Sequence, residues 1–157
     1  MYKGVADWTM IRDIKKNPRI KIPIFGNGDI DSLEKAAAWR MEFGVDGMMI
    51  GRAALRYPWI FREIKHYFKT GEHLDKPTIA ERIAACSTHL QKSIEWKGPK
   101  TGIFEMRRHY SNYFKGIEHF KEYRMQLVTA GTLEQVSGIL EGIAHDPRYA
   151  SLEVESI

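Results

Sequence analysis

The sequence predicts an α/β segment joined to an all-helical one. Up to Pro58, short β-prone runs alternate with helical patterns and frequent glycines. Within that part a strand, a helix and a second strand follow one another over about 30 residues, the span of a βαβ unit. Beyond Pro58 the apolar residues recur with a period near 3.6 almost to the end. The expected division is therefore 1–57 and 58–157.

Taken in order, Trp8 to Lys16 reads as a helix stopped by Asn17-Pro18. Ile22-Pro23-Ile24-Phe25 is an apolar run closed by Gly26-Asn27-Gly28-Asp29, a strand followed by a tight loop. Asp31 or Ser32 can cap a helix from Leu33 to Phe43. Leu33, Ala36, Ala37 and Arg40-Met41 keep helical spacing there, and Gly44 suits the position just past the end. Val45 to Ile50 reads as a second strand, ended by Gly51-Arg52. A helix between two strands implies that they run parallel.

Pro58 suits the first position of a helix running to Lys69 and closed by Thr70-Gly71. A helix from Thr78 to Lys97 carries Ile79, Ile83, Cys86, Leu90 and Ile94 on one stripe. Thr101 to Gly116 carries Ile103, Met106, Tyr110 and Phe114; Glu118 to Ala130 carries Phe120, Tyr123 and Leu127. Thr132 to His145 carries Leu133, Val136, Leu140 and Ile143. One apolar stripe per helix and short connections predict a small helical bundle.

Composition narrows the function classes. With 157 residues and 43% apolar content, the chain can bury an ordinary core. The single cysteine, Cys86, excludes an internal disulfide framework and fits a reducing cytoplasm. No apolar run approaches the roughly 18 residues of a membrane span. A net charge of +4 is compatible with an anionic partner. His66, His73, His89, His109, His119 and His145 follow no zinc-ligand spacing.

Two glycine-bearing turns, Gly26-Asn27-Gly28-Asp29 and Gly51-Arg52, lie at the C-terminal ends of the two strands. Ligands of α/β folds bind at such ends. Glycine brings backbone N–H groups close to an anion, and arginine offers a charged fork that matches phosphate. The competing reading is two plain strand-to-helix turns.

Tyr2-Lys3-Gly4-Val5-Ala6-Asp7-Trp8, Ile22 to Ile30, Asp46 to Ala54, Pro58-Trp59-Ile60-Phe61, Met106-Arg107-Arg108-His109-Tyr110 and Tyr113-Phe114-Lys115-Gly116 resemble, in order and spacing, the C-terminal half of tRNA-dihydrouridine synthases. The resemblance implies the last βαβ portion of an FMN-binding TIM barrel followed by a helical domain that holds tRNA. It implies reduction of a uridine C5–C6 double bond, with NADPH recharging the flavin. Asn27, Gly28, Asp29, Gly51 and Arg52 become FMN-phosphate residues. An aspartate cannot itself attract phosphate, so Asp29 is expected to cap a helix or brace the loop.

The family's proton-donating cysteine, its flavin-ring contacts and its N-terminal flavin loop lie upstream of these motifs, so no catalytic residue is assigned. Cys86, mid-stripe, reads as a small core residue. Lys100, Arg107, Arg108 and Lys115 can share a broad face opposite the apolar stripe of their helix. Composition alone makes this a solvated face. The resemblance reverses this for Arg107 and Arg108 and leaves Tyr110 in the core; Lys100 and Lys115, on the same face, join them as candidate RNA contacts. Trp8 and Trp59 read as packing residues beside the loops, and Asp7 as a partner for nearby backbone.

One parallel strand pair is not a complete domain, so the sequence looks cut. Its strands are expected to self-associate, or the N-terminal part to rearrange. A non-catalytic RNA-binding module with a barrel remnant, and a piece of another phosphate-binding barrel enzyme, stand as alternatives.

Overall fold

The computed structural model describes residues 4–150, and the chain separates into two units, Met1–Leu74 and Asp75–Ile157. The first holds α1 (Thr9–Lys16), β1 (Phe25–Asn27), α2 (Leu33–Phe43), β2 (Gly47–Met49), α3 (Arg52–Arg56) and α4 (Ile60–Thr70). The second holds α5 (Ile79–Lys97), α6 (Pro99–Tyr113), α7 (Lys121–Thr129), α8 (Leu133–Ala144) and α9 (Pro147–Ala150). The division falls after Leu74 rather than at residue 57. Ile60 and Ile64 of α4 are buried in the same cluster as Leu33, Phe43 and Val45, which ties α4 to the first unit.

The strands are parallel, with Phe25 opposite Gly47, Gly26 opposite Met48 and Asn27 opposite Met49. Strand β1 begins at Phe25, not Ile22, and takes in Gly26 and Asn27, which were expected in the loop. Pro23 has no N–H for a ladder. The Ile24 N–H donates to the Asp46 carboxylate at 2.7 Å, and the Asp46 N–H donates to the Ile24 carbonyl at 2.9 Å. Asp46 thereby fixes where the pairing begins. Lys15 of α1 donates to the same carboxylate at 2.6 Å, tying α1 to the strand pair.

Local caps set the helix ends. The Ser32 hydroxyl accepts from the Lys35 N–H at 3.2 Å, and Gly44 at φ 63° closes α2. Leu33, Ala36 and Phe43 form its buried stripe, whereas Met41, expected on that stripe, is exposed because it lies on the other side of the helix. Trp8 fills the centre of the unit, its ring 4.6 Å from Trp39 and 5.5 Å from Phe43. Helix α3 was not anticipated; Pro58 lies in the turn before α4 rather than inside it.

In the second unit, capping boxes at Thr78/Glu81 and Thr132/Gln135 start α5 and α8. Gly98 at φ 80° ends α5, and Pro99 starts α6. Cys86, Leu90, Ile103, Met106, Tyr110, Phe114, Phe120, Leu127, Val136, Leu140 and Ile143 are buried. Leu133 stays partly exposed at 36%. Helices α5 and α6 are in close contact at Gly102, where an added Cβ would lie 2.7 Å from the Ile94 nitrogen.

Candidate functional site

In the first unit the candidate residues gather around one carboxylate. Asp29 follows β1 with φ 49°, a left-handed conformation that aspartate tolerates better than most residues. Its Oδ2 accepts from the Ala6 N–H at 2.7 Å, and its Oδ1 accepts from Arg52 Nη2 at 2.6 Å. The Ala6 N–H above all, with the Arg52 and Lys35 charges, holds this carboxyl below the ordinary carboxylate range. Asp29 is thus a brace joining the approach to α1, the loop after β1 and the turn after β2. It does not cap α2; Ser32 does.

The glycines serve different ends. A Cβ on Gly26 would lie 2.0 Å from the Trp8 ring, so this glycine makes room for a tryptophan. Gly28 combines φ 115° with a would-be Cβ 2.5 Å from the Ala6 Cβ, and its carbonyl accepts from the Trp8 indole N–H at 3.2 Å. Only Gly51 of the three has open space where a Cβ would stand. Arg52 beside it starts α3 with a side chain 70% exposed, oriented by Asp29. Asn27 ends β1 and is exposed. The arrangement presents a guanidinium, held by a carboxylate, next to an open glycine at the end of two parallel strands. Such a group can bind a small dianion.

Trp8 is buried at 2% and Trp59 at 9%, as packing residues. Asp7 accepts from the Thr9 N–H at 2.9 Å and from the Thr9 hydroxyl at 2.7 Å, bonds that lower its pKa.

In the second unit the four basic candidates separate. Lys100 and Arg108 are exposed on α6, and Lys115 is exposed in the turn after it. Arg107 is half-buried: its Nη2 donates to the Ala130 carbonyl at the end of α7, at 3.1 Å, and its Nε is buried without a partner among the described residues. Its first task is structural. Arg108 reaches Glu105 at 3.4 Å, and Lys97 of α5 pairs with the same carboxylate, lowering its pKa. Lys97 thereby joins α5 to α6 through the carboxylate that also holds Arg108.

Cys86 is fully buried, and burial pushes its thiol up to about 12. Tyr110 is also fully buried. His89 and His109 pack ring to ring at 4.9 Å, and the His89 Nδ1 lies 2.9 Å from the Tyr113 hydroxyl.

Sequence reasoning missed Asp46 and Arg82. The Arg82 guanidinium donates to the Tyr113 and Lys115 carbonyls, each at 3.1 Å, and so closes the end of α6. No local pattern marks either residue. It also missed Phe104, 66% exposed between Lys100 and Arg108 at four-residue spacings. The helical wheel of α6 carried that signal.

Comparison with known proteins adds to this geometry. The family model for dihydrouridine synthase matches residues 1–144. The chain is 38% identical over 140 residues to a probable tRNA-dihydrouridine synthase 1 of Synechocystis sp., covering 89% of this chain and 39% of that protein. It is 40% identical over 126 residues to tRNA-dihydrouridine synthase B of Pseudomonas aeruginosa, covering 80% of this chain and 37% of that one. For tRNA-dihydrouridine synthase B of Shewanella oneidensis the figures are 45% over 113 residues, 72% and 34%. The chain thus spans little more than a third of the length of these relatives.

Proposed function

The chain belongs to the dihydrouridine synthase family, and on that premise we propose that it is the C-terminal portion of a flavin-dependent tRNA-dihydrouridine synthase. In this reading the first unit is the end of a TIM barrel, and the second is a helical bundle that holds tRNA. The observation that carries it is the Asp29 brace, which sets the exposed Arg52 beside the open Gly51 at the strand ends. That geometry fits the phosphate of FMN, with Asn27, Gly28 and Gly51 shaping the approach, Arg52 supplying charge and Asp29 orienting Arg52. Held there by Arg52 and the backbone around Gly28 and Gly51, FMN recharged by NADPH would supply hydride chemistry for reducing a tRNA uridine.

The exposed Lys100, Arg108 and Lys115 support a phosphate-tracking role for the helical unit, with Arg107 contributing its exposed part. The proton donor comes from outside this chain. Cys86 is unsuited to the task, because it is buried and its thiol is pushed up to about 12. No helix among the described residues is long and apolar enough to cross a membrane. Cytoplasmic location is part of the proposal.

The test is an assay of this chain with FMN, NADPH and unmodified tRNA. The expected result is FMN and tRNA binding without dihydrouridine formation. Turnover would refute the missing acid, and absence of FMN binding would favour an RNA-binding module alone. The exposed Ile22, Phe25 and Met49 beside the open strand pair favour self-association, which a stable monomer in light scattering would refute.

A further inference from the structure

Two large aromatic side chains of the second unit are left in solvent close to the α5–α6 turn. Trp96 is 84% exposed and Phe104 66%. A single exposed apolar residue is ordinary, but these two share a setting. The Lys97 ammonium lies 5.2 Å from the centre of the Trp96 ring, and the Arg107 guanidinium carbon lies 5.2 Å from that of Phe104. Lys97 and Arg108 meet on Glu105, next in sequence to Phe104. Phe104 has Lys100 one turn before it and Arg108 one turn after it on the same row of α6. Leaving aside the inward-turned Arg107, Lys92, Lys97, Lys100 and Arg108 outnumber Glu95 and Glu105 in this stretch of α5 and α6, which is net cationic.

Exposed rings set among cations suit a polymer with alternating flat bases and phosphates. Bases stack on aromatic faces, and phosphates take the surrounding charge. Protein interfaces are depleted of lysine, whereas Lys97 and Lys100 stand within four residues of these rings. A base paired within a duplex hides its faces, so the polymer must present an unpaired base.

Resting on the reading of the helical unit as RNA-binding, we infer that Trp96, with Phe104 beside Lys100 and Arg108, forms a stacking platform for an unpaired RNA base. Trp96 is then a positioning residue: it fixes where the RNA sits and takes no part in the chemistry.

The experiment measures binding of unmodified tRNA and of a single-stranded oligoribonucleotide to the full chain across a salt series. Trp96→Ala is expected to weaken binding of the oligonucleotide roughly 5- to 100-fold with an unchanged salt slope, and Trp96→Phe to restore most of it. Arg108→Ala is expected to lower the salt slope by about one. In a Trp39→Phe chain, which lacks the partly exposed Trp39, RNA is expected to shield Trp96 fluorescence from iodide, since Trp8 and Trp59 are buried at 2% and 9%. Wild-type affinity in Trp96→Ala alongside weakened Arg108→Ala would overturn the platform and leave the RNA-binding reading standing. Absence of salt-dependent RNA binding in the unmutated chain would sink both. Should Trp96→Ala fail to fold, iodide decides: RNA binding that leaves Trp96 quenchable overturns the proposal.

Discussion

Replacing Gly102 by alanine tests how tightly α5 and α6 are pressed together. A Cβ there would stand 2.7 Å from the Ile94 nitrogen, 2.8 Å from its Cα and 2.8 Å from the Ser93 carbonyl carbon. These are backbone atoms of the facing helix, so no rotamer change relieves the contact. The helices must separate by about 1 Å to reach ordinary van der Waals distance. That movement also strains the bond from the Ser93 hydroxyl to the Gly102 carbonyl, now 3.3 Å. Overpacking of this kind costs about 1–3 kcal/mol. Alanine also returns about 1 kcal/mol through its better helix propensity. Gly138→Ala in α8 supplies the control, because nothing lies within 4 Å of its would-be Cβ. There only the propensity gain of about 1 kcal/mol applies. Subtracting the two changes cancels propensity and leaves the overpacking cost. Urea unfolding read by hydrogen exchange in α5, α6 and α8 measures both. Gly138→Ala should stabilise the second unit, and Gly102→Ala should fall below it by about 1–3 kcal/mol. Equal stabilisation by the two would refute the close approach.

Three further outcomes are expected. Arg52→Ala should weaken FMN binding about ten-fold, the low end for a charge-assisted contact because the side chain is 70% exposed; titration of the flavin absorbance checks this, and unchanged affinity would remove Arg52 from the site. Burial first, then neighbouring positive charge, holds His89 and His109 below the usual imidazole value of 6.5. The folded state favours their neutral forms, so this stabilisation is complete above that value and is lost as pH falls through the folded pKa values. The urea midpoint of the second unit should drop on mild acidification, and His89→Gln with His109→Gln should flatten the drop. In the first unit, hydrogen bonds and nearby cations hold Asp29 and Asp46 below 3.8. Their contribution is present above that value and disappears as pH falls through the folded pKa values; Asp46→Asn should make acid unfolding of this unit less steep, as circular dichroism would show.

The sequence by itself determined what is written locally. Asp31 or Ser32 with Gly44 bounded α2, Thr78 marked the start of α5, and stripes such as Ile103, Met106, Tyr110 and Phe114 marked the buried faces. These signals act within one or two helical turns, so they are readable without knowing what lies opposite. The two glycine turns and the basic residues of α6 were legible as residue types for the same reason. Only the tertiary structure decided their use. Gly26 and Gly28 serve Trp8 and Ala6, while Gly51 stays open. Asp29 is shared between Ala6 and Arg52, each 23 residues away. Asp46 sets the start of β1 from across the pair, and Arg107 turns inward to the end of α7 while Phe104 and Trp96 stay outside. Each of these depends on which backbone group or side chain arrives from a distant segment, and no short window of sequence contains that partner.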